Sequence, residues 1–158
     1  MNHILIASWL IVLFPLVGTH NPNVNQEPSS ETTSQTDPFP PVDNMHHFME
    51  YISEPAYKGL KAALATEPEN RRAWRPIKSH ALILAETSAL VADRVPEGAS
   101  DEQTQQWKQL SREVYNSGKA LYGSVGDYAA AKKHYEAMLN NCNRCHQVFA
   151  DGKYQLEK

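Results

Sequence analysis

The chain has 158 residues, a formal net charge of −3 and only two cysteines. All 15 lysines and arginines lie at position 58 or beyond, and residues 43–158 carry as many acidic side chains, so this segment is formally neutral. A nucleic-acid-binding domain carries a basic face, and the balance of charge therefore argues against a nucleic-acid partner. The segment is long enough for one domain with one core.

The N-terminal part of the chain predicts export. Residues 4–17 form a nearly unbroken apolar run, which is shorter than the ~20 residues that span a membrane. Such a run is typical of a secretory signal, so we predict a signal peptide over residues 1–20 and a periplasmic or otherwise exported protein. A membrane tether is expected only if this segment is retained. Residues 21–42, rich in Pro, Ser, Thr, Asn and Gln, predict a disordered linker.

Four segments of the remaining domain, residues 43–158, repeat apolar side chains every three or four residues, as amphipathic helices do. They span residues 43–65, 70–94, 100–123 and 127–149. Ser100 with Gln103 predicts a capping box at the start of the third helix, and Asp127 predicts the start of the fourth. With no strand pattern and short connections, we predict an all-α fold, an antiparallel up-down-up-down four-helix bundle.

The first predicted helix contains a proline, Pro55, which is expected to kink it. The alternative is a break into two helices at Ser53. The inner face of this helix is expected to carry Met45, Met49, Ile52, Ala56, Leu60 and Ala63.

Both cysteines lie in one string near the end of the fourth predicted helix, Cys142-Asn143-Arg144-Cys145-His146. This C-x-x-C-H pattern is the one that attaches a c-type haem. Two thiols add to the vinyl groups along one edge of the porphyrin, and the following histidine reaches the iron as an axial ligand. One turn of helix presents all three groups on one face. The motif predicts one covalently attached haem c held by Cys142, Cys145 and His146, with His146 as the proximal iron ligand.

Other sites use the same C-x-x-C spacing. A zinc site would need two more strong ligands, and the chain has no further cysteine. A redox dithiol usually opens a helix after a strand in an α/β pattern, which is absent from this sequence. The export signal and the helical body favour haem over a plain disulfide.

A C-x-x-C-H motif close to the C-terminus of a four-helix domain resembles class II cytochromes c, the cytochrome c prime family with its low-spin relatives. The resemblance covers residues 43–158, but its specific motif is only residues 142–149. The aromatic residue that follows the motif in the family is present as Phe149, and the next, basic residue is replaced by Ala150. That basic side chain helps to shape the distal pocket of gas-binding members, so its replacement disfavours gas binding.

The resemblance also implies that the sixth iron position faces the first helix. A Met ligand there characterises the electron-transferring branch, and a non-ligating residue characterises the gas-binding branch. This chain offers Met45, His46, His47 and Met49. At ~100° per residue, both methionines fall on the inner face, His46 at its flank and His47 nearly opposite. We expect Met49 to be the distal ligand, because Met45 lies in a first turn that can fray. Met45 is the alternative, followed by an open site and by His46.

These expectations together predict an exported monohaem cytochrome of the low-spin, Met-ligated branch, which carries electrons between transient redox protein partners and is not an enzyme. The alternative is a five-coordinate protein that binds nitric oxide or carbon monoxide. The resemblance is compatible with a homodimer, for which the sequence carries no signal. His46 and Glu50 are the one candidate acid–base pair, and their spacing is typical of a surface pair.

Overall fold

The computed structural model describes residues 44–158, which fold into helices and turns with no strand among them. The helical segments are α1 (Met45–Phe48), a π-helical segment π1 (Met49–Ser53), α2 (Glu54–Ala63), α3 (Trp74–Ala92), α4 (Asp101–Gly123) and α5 (Tyr128–Phe149). Because α1, π1 and α2 follow one another without interruption, we treat them together as the first helix. The described part of the chain thus has four helices, and the predicted all-α fold is confirmed. The predicted signal peptide and linker lie outside the described residues.

Side-chain caps fix where three of the helices begin. Asn44 accepts a hydrogen bond from the backbone N–H of His47 (3.0 Å) at the start of α1. Ser100 and Gln103 form the predicted capping box of α4. Asp127 accepts from the N–H of Ala130 (2.9 Å) and caps α5, as expected. These caps satisfy N–H groups that have no partner within the helix.

The helices pack in chain order, with α3 in contact with the first helix and with α4, and α4 in contact with α5. The main core joins all four, and its most deeply buried side chains are Leu60, Ile77, Leu121, Met138 and Leu139. Burying an aliphatic side chain of this kind contributes about 1.5–3 kcal/mol relative to leaving it exposed. None of the helices in the described part of the chain is both long and apolar enough to cross a membrane.

Pro55 changes the first helix without breaking it. Proline has no N–H to donate, and its ring would clash with the carbonyl four residues back, which belongs to Tyr51. The turn before it widens into π1, in which the N–H of Glu54 donates to the carbonyl of Met49. The backbone keeps helical angles through Ser53 (φ −77°, ψ −43°), so the alternative of a break at this residue is wrong.

The π turn also rotates the helix relative to the predicted face. Ile52 was expected to point inward but is 42% exposed, and this part of the prediction is wrong. A π-helical turn accommodates an extra residue, so the inward position after Met49 passes to Ser53, which lines the cavity described below. Beyond the π turn, Ala56 and Leu60 are buried as predicted.

Gly59 lies where the first helix approaches α3 closely. A Cβ atom at this position would overlap the imidazole of His80. We expect Gly59→Ala to lower the free energy of unfolding by about 1–3 kcal/mol through overpacking. In an uncrowded helix interior, the same change stabilises by ~1 kcal/mol. Urea unfolding of Gly59→Ala in the wild-type and His80→Ala backgrounds checks this. An equal loss of stability in both backgrounds would contradict the prediction.

Candidate haem-binding site

A cavity of about 690 Å³ separates the first helix from α5. The backbones of these two helices do not approach each other closely anywhere along their described lengths. All four helices and the C-terminal tail, residues 150–158, contribute to the walls. The buried apolar side chains among them are Leu84, Val91, Trp107 and Val114. A volume of this size is in the ~300–1,000 Å³ range of small-molecule and cofactor sites.

All three motif residues of α5 line this cavity: Cys142, Cys145 and His146. Cys142 packs on the main core. Cys145 packs on a second apolar cluster, formed by Phe48, Val91 and Trp107. Both thiols are free, and residues three apart on a helix share a face, so both sulfur atoms are available to one ligand.

Contacts with α4 fix the position of this turn of α5. The guanidinium of Arg144 forms an ion pair with the carboxylate of Glu113 (2.6 Å). The side-chain amide of Asn141 donates to the backbone carbonyl of Glu113 (3.1 Å). Arg144 lies within the motif and Asn141 directly before it, and their contacts hold this turn against α4 while the cysteines face the cavity.

The thiols do not have the electrostatics of a reactive dithiol. Burial raises the pKa of Cys142 to about 12 and the pKa of Cys145 to about 11. Reactive cysteines of redox motifs have lowered pKa values, because nearby positive charge or a helix N-terminus stabilises the thiolate. These two thiols lie near the end of α5 and are protonated at neutral pH. No group of three or more His, Cys, Asp or Glu side chains in the described residues is arranged to hold a metal ion.

His146 is held in one tautomer by the C-terminal tail. Its Nδ1 lies 2.8 Å from the backbone carbonyl oxygen of Tyr154. A carbonyl can only accept, so Nδ1 must carry the proton and donate it. The lone pair of a neutral imidazole is then on Nε2, where a metal can bind. Burial lowers the pKa of His146, an effect that the hydrogen bond to Tyr154 partly opposes, and the ring is neutral at physiological pH.

Both candidate methionines of the first helix line the same cavity. Met45 and Met49 are half-buried and pack on the cluster that also contacts Cys145. The structure thus brings the predicted proximal and distal residues to one space. His46 lies at the rim and pairs with Glu50 (3.6 Å) on an exposed surface, as expected. His47 does not line the cavity and lies beside Tyr51.

Sequence reasoning missed the contribution of the tail and of the middle of the first helix. Tyr154 and Leu156 line the cavity, although their segment has no helical period and no motif. Tyr57 also lines it, one turn beyond π1. Phe149, which follows the motif, packs edge-on against Trp107 with ring centroids 5.0 Å apart. Phe149 is the one of these residues that the sequence analysis singled out, as the aromatic residue that follows the motif.

Comparison of the chain with protein-family models, with curated proteins and with solved structures found no match.

The raised thiol pKa values predict slow alkylation of the haem-free folded protein. At pH 8 we expect iodoacetamide to modify Cys142 and Cys145 about a hundredfold more slowly in the native state than in urea, because so little thiolate is present. The folded pKa values lie above the unfolded ones, so the associated stability is present below pH ~8.5 and is lost as pH rises further. Native thiols that react as fast as unfolded ones would support a redox dithiol instead.

Proposed function

We propose that the protein is an exported electron-transfer cytochrome with one haem c in the cavity between the first helix and α5, in an up-down-up-down bundle. The observation that carries this proposal is the meeting of two separate sequence features at one cavity. Cys142, Cys145 and His146 reach it from α5, and Met45 and Met49 reach it from the first helix. The likeness of this arrangement to class II cytochromes c supports the same function.

The residues present fit a haem. The two cysteines would bind the porphyrin edge through thioether bonds, and Nε2 of His146 would bind the iron. The bound group would supply a one-electron iron couple. The neighbouring walls are mostly apolar and include the buried side chains of Leu84 and Val114, which suit the apolar faces of a porphyrin.

The donor set favours electron transfer at a relatively high potential. A methionine thioether stabilises ferrous over ferric iron when compared with a second imidazole. The apolar walls act in the same direction, because the more highly charged ferric site is disfavoured in a low dielectric. His146 is fixed by Tyr154, so the position of this ligand is ordered in advance. Partners would be other redox proteins of the same compartment, bound transiently.

One observation favours the five-coordinate alternative, a protein that binds nitric oxide or carbon monoxide. Met45 and Met49 both pack on the Phe48, Val91 and Trp107 cluster. A methionine on such a stripe can serve as core filler, with its sulfur directed to aromatic neighbours. If neither sulfur leaves this packing, the sixth position remains open to a small ligand.

The cysteines provide the first test of the proposal. Cys145→Ser can form at most one thioether bond, so we expect covalent haem incorporation to fall severely. The measurement is haem staining of the denatured protein after expression with a cytochrome maturation system, together with its intact mass. Asn140→Ser, an exposed change on the same helix, is the control and should mature normally. Normal covalent incorporation in Cys145→Ser would contradict the proposal.

The methionines decide between the two functions. We expect the matured protein to show a low-spin spectrum with the weak long-wavelength band of a Met–iron bond, unchanged by carbon monoxide. Met49→Ala should lose that band and bind carbon monoxide rapidly on reduction, while Met45→Ala should keep it. The reverse pattern would assign the ligand to Met45. A high-spin wild-type spectrum that shifts at once with carbon monoxide would replace the electron carrier with the gas-binding protein.

A further inference from the structure

The C-terminal tail connects the first helix to α5 beside the cavity. The hydroxyl of Tyr57 donates to the carbonyl of Glu157 (2.6 Å) and accepts from its N–H (3.2 Å). Lys61 donates to the same carbonyl (3.2 Å). On the other side, Lys158 forms an ion pair with Glu136 of α5 (3.2 Å). The tail is therefore held both from the first helix and from α5.

One residue within the motif holds the tail in register. The side-chain amide of Asn143 donates to the carbonyl of Leu156 (3.0 Å), and its oxygen accepts from the N–H of Leu156 (2.7 Å). Both backbone groups of one tail residue thus bind one side chain. A pair of this kind fixes the position of the tail along α5, since a shift by one residue would break both bonds.

We call the two hydrogen bonds between Asn143 and Leu156 the clamp. The backbone between α5 and the clamp is held in an unfavourable conformation. Tyr154 has φ +58°, in the left-handed region that a bulky side chain rarely adopts. Such a conformation costs on the order of 1–3 kcal/mol and persists only where the surroundings impose it. Here it accompanies the placement of the Tyr154 carbonyl 2.8 Å from Nδ1 of His146. The strain is thus located at the residue that orients the candidate iron ligand.

We infer that Asn143 is a positioning residue for His146. By fixing Leu156, it keeps the strained carbonyl of Tyr154 at Nδ1, and so it keeps the lone pair of the imidazole on Nε2. A hydrogen bond from Nδ1 also makes the imidazole a stronger donor to a metal. A stronger donor stabilises ferric iron, so the clamp lowers the midpoint potential. The effect on potential rests on the proposed function, whereas the clamp and the tautomer of His146 do not.

The test compares Asn143→Ala with Asn140→Ala in the matured protein. Asn140 is the same residue type on the same helix, and it is exposed. We expect Asn143→Ala to speed hydrogen exchange of the Leu156 amide by at least about fivefold to tenfold, because this N–H loses its acceptor and the tail loses the second bond to Asn143 as well. We also expect its midpoint potential to rise, with both cysteines still bound to haem. A potential and an exchange rate equal to those of Asn140→Ala would overturn the inference.

A second pair of variants changes Leu156, the tail residue that Asn143 binds. Leu156→Pro removes the N–H that binds Asn143, whereas Leu156→Ala keeps it and removes only packing. A higher midpoint potential in Leu156→Pro alone supports the inference, and equal potentials in the two variants overturn it.

If the wild-type protein matures without haem, the proposed function fails. The ¹⁵N shifts of the His146 ring then decide the inference, which requires the Nδ1–H tautomer in the wild type and its loss in Asn143→Ala.

Discussion

The structure depends on how one pair of helices is joined at one end and held apart at the other. At the closed end, the hydroxyl of Tyr128 at the start of α5 donates to the carbonyl of Leu64 (2.7 Å), and Leu60 is buried in the same core as Met138. At the open end, the cavity separates the two helices. Covering the apolar walls with an apolar group removes their surface from water, which is favourable in free energy. The chain thus places its two thiols on the wall of a largely apolar cavity, which is the space that we propose the haem fills.

Pro55 affects the wall of this space that the first helix forms. Because proline cannot donate to the helix, the preceding turn widens, and π1 begins at Met49, at the level of the cavity. Single π turns are rare and occur frequently at functional sites, because they reposition side chains without ending a helix. Here the π turn exposes Ile52 and brings Ser53 to the wall. The N–H of Met49, the first residue of π1, still donates to the carbonyl of Met45, so the two methionines keep the ordinary helical relation to each other.

These details explain which parts of the molecule could be predicted from the sequence. The helices, the Ser100 and Asp127 caps and the shared face of Cys142 and Cys145 depend on local spacing, which a sequence displays directly. The exposure of Ile52 could not be predicted, because proline indicates a disturbed helix but not the kind of turn that accommodates it. The tail was missed for a different reason: its order comes from single hydrogen bonds to distant residues, and such bonds have no periodic signal.

His146 on one side of the cavity and the two methionines on the other are held in place by different interactions. This difference affects which side can change its position more easily. His146 is fixed through a directional hydrogen bond to a backbone carbonyl, whose position cannot change without moving the tail. Met45 and Met49 are held by dispersion contacts with the cluster of Phe48, Val91 and Trp107, and methionine can change rotamers at little cost. The side of the cavity formed by α5 is therefore the constant part, and the side formed by the first helix is the adjustable part. An electron carrier and a gas-binding protein would differ here by the placement of one flexible thioether, with the helices, the tail and the cysteines unchanged.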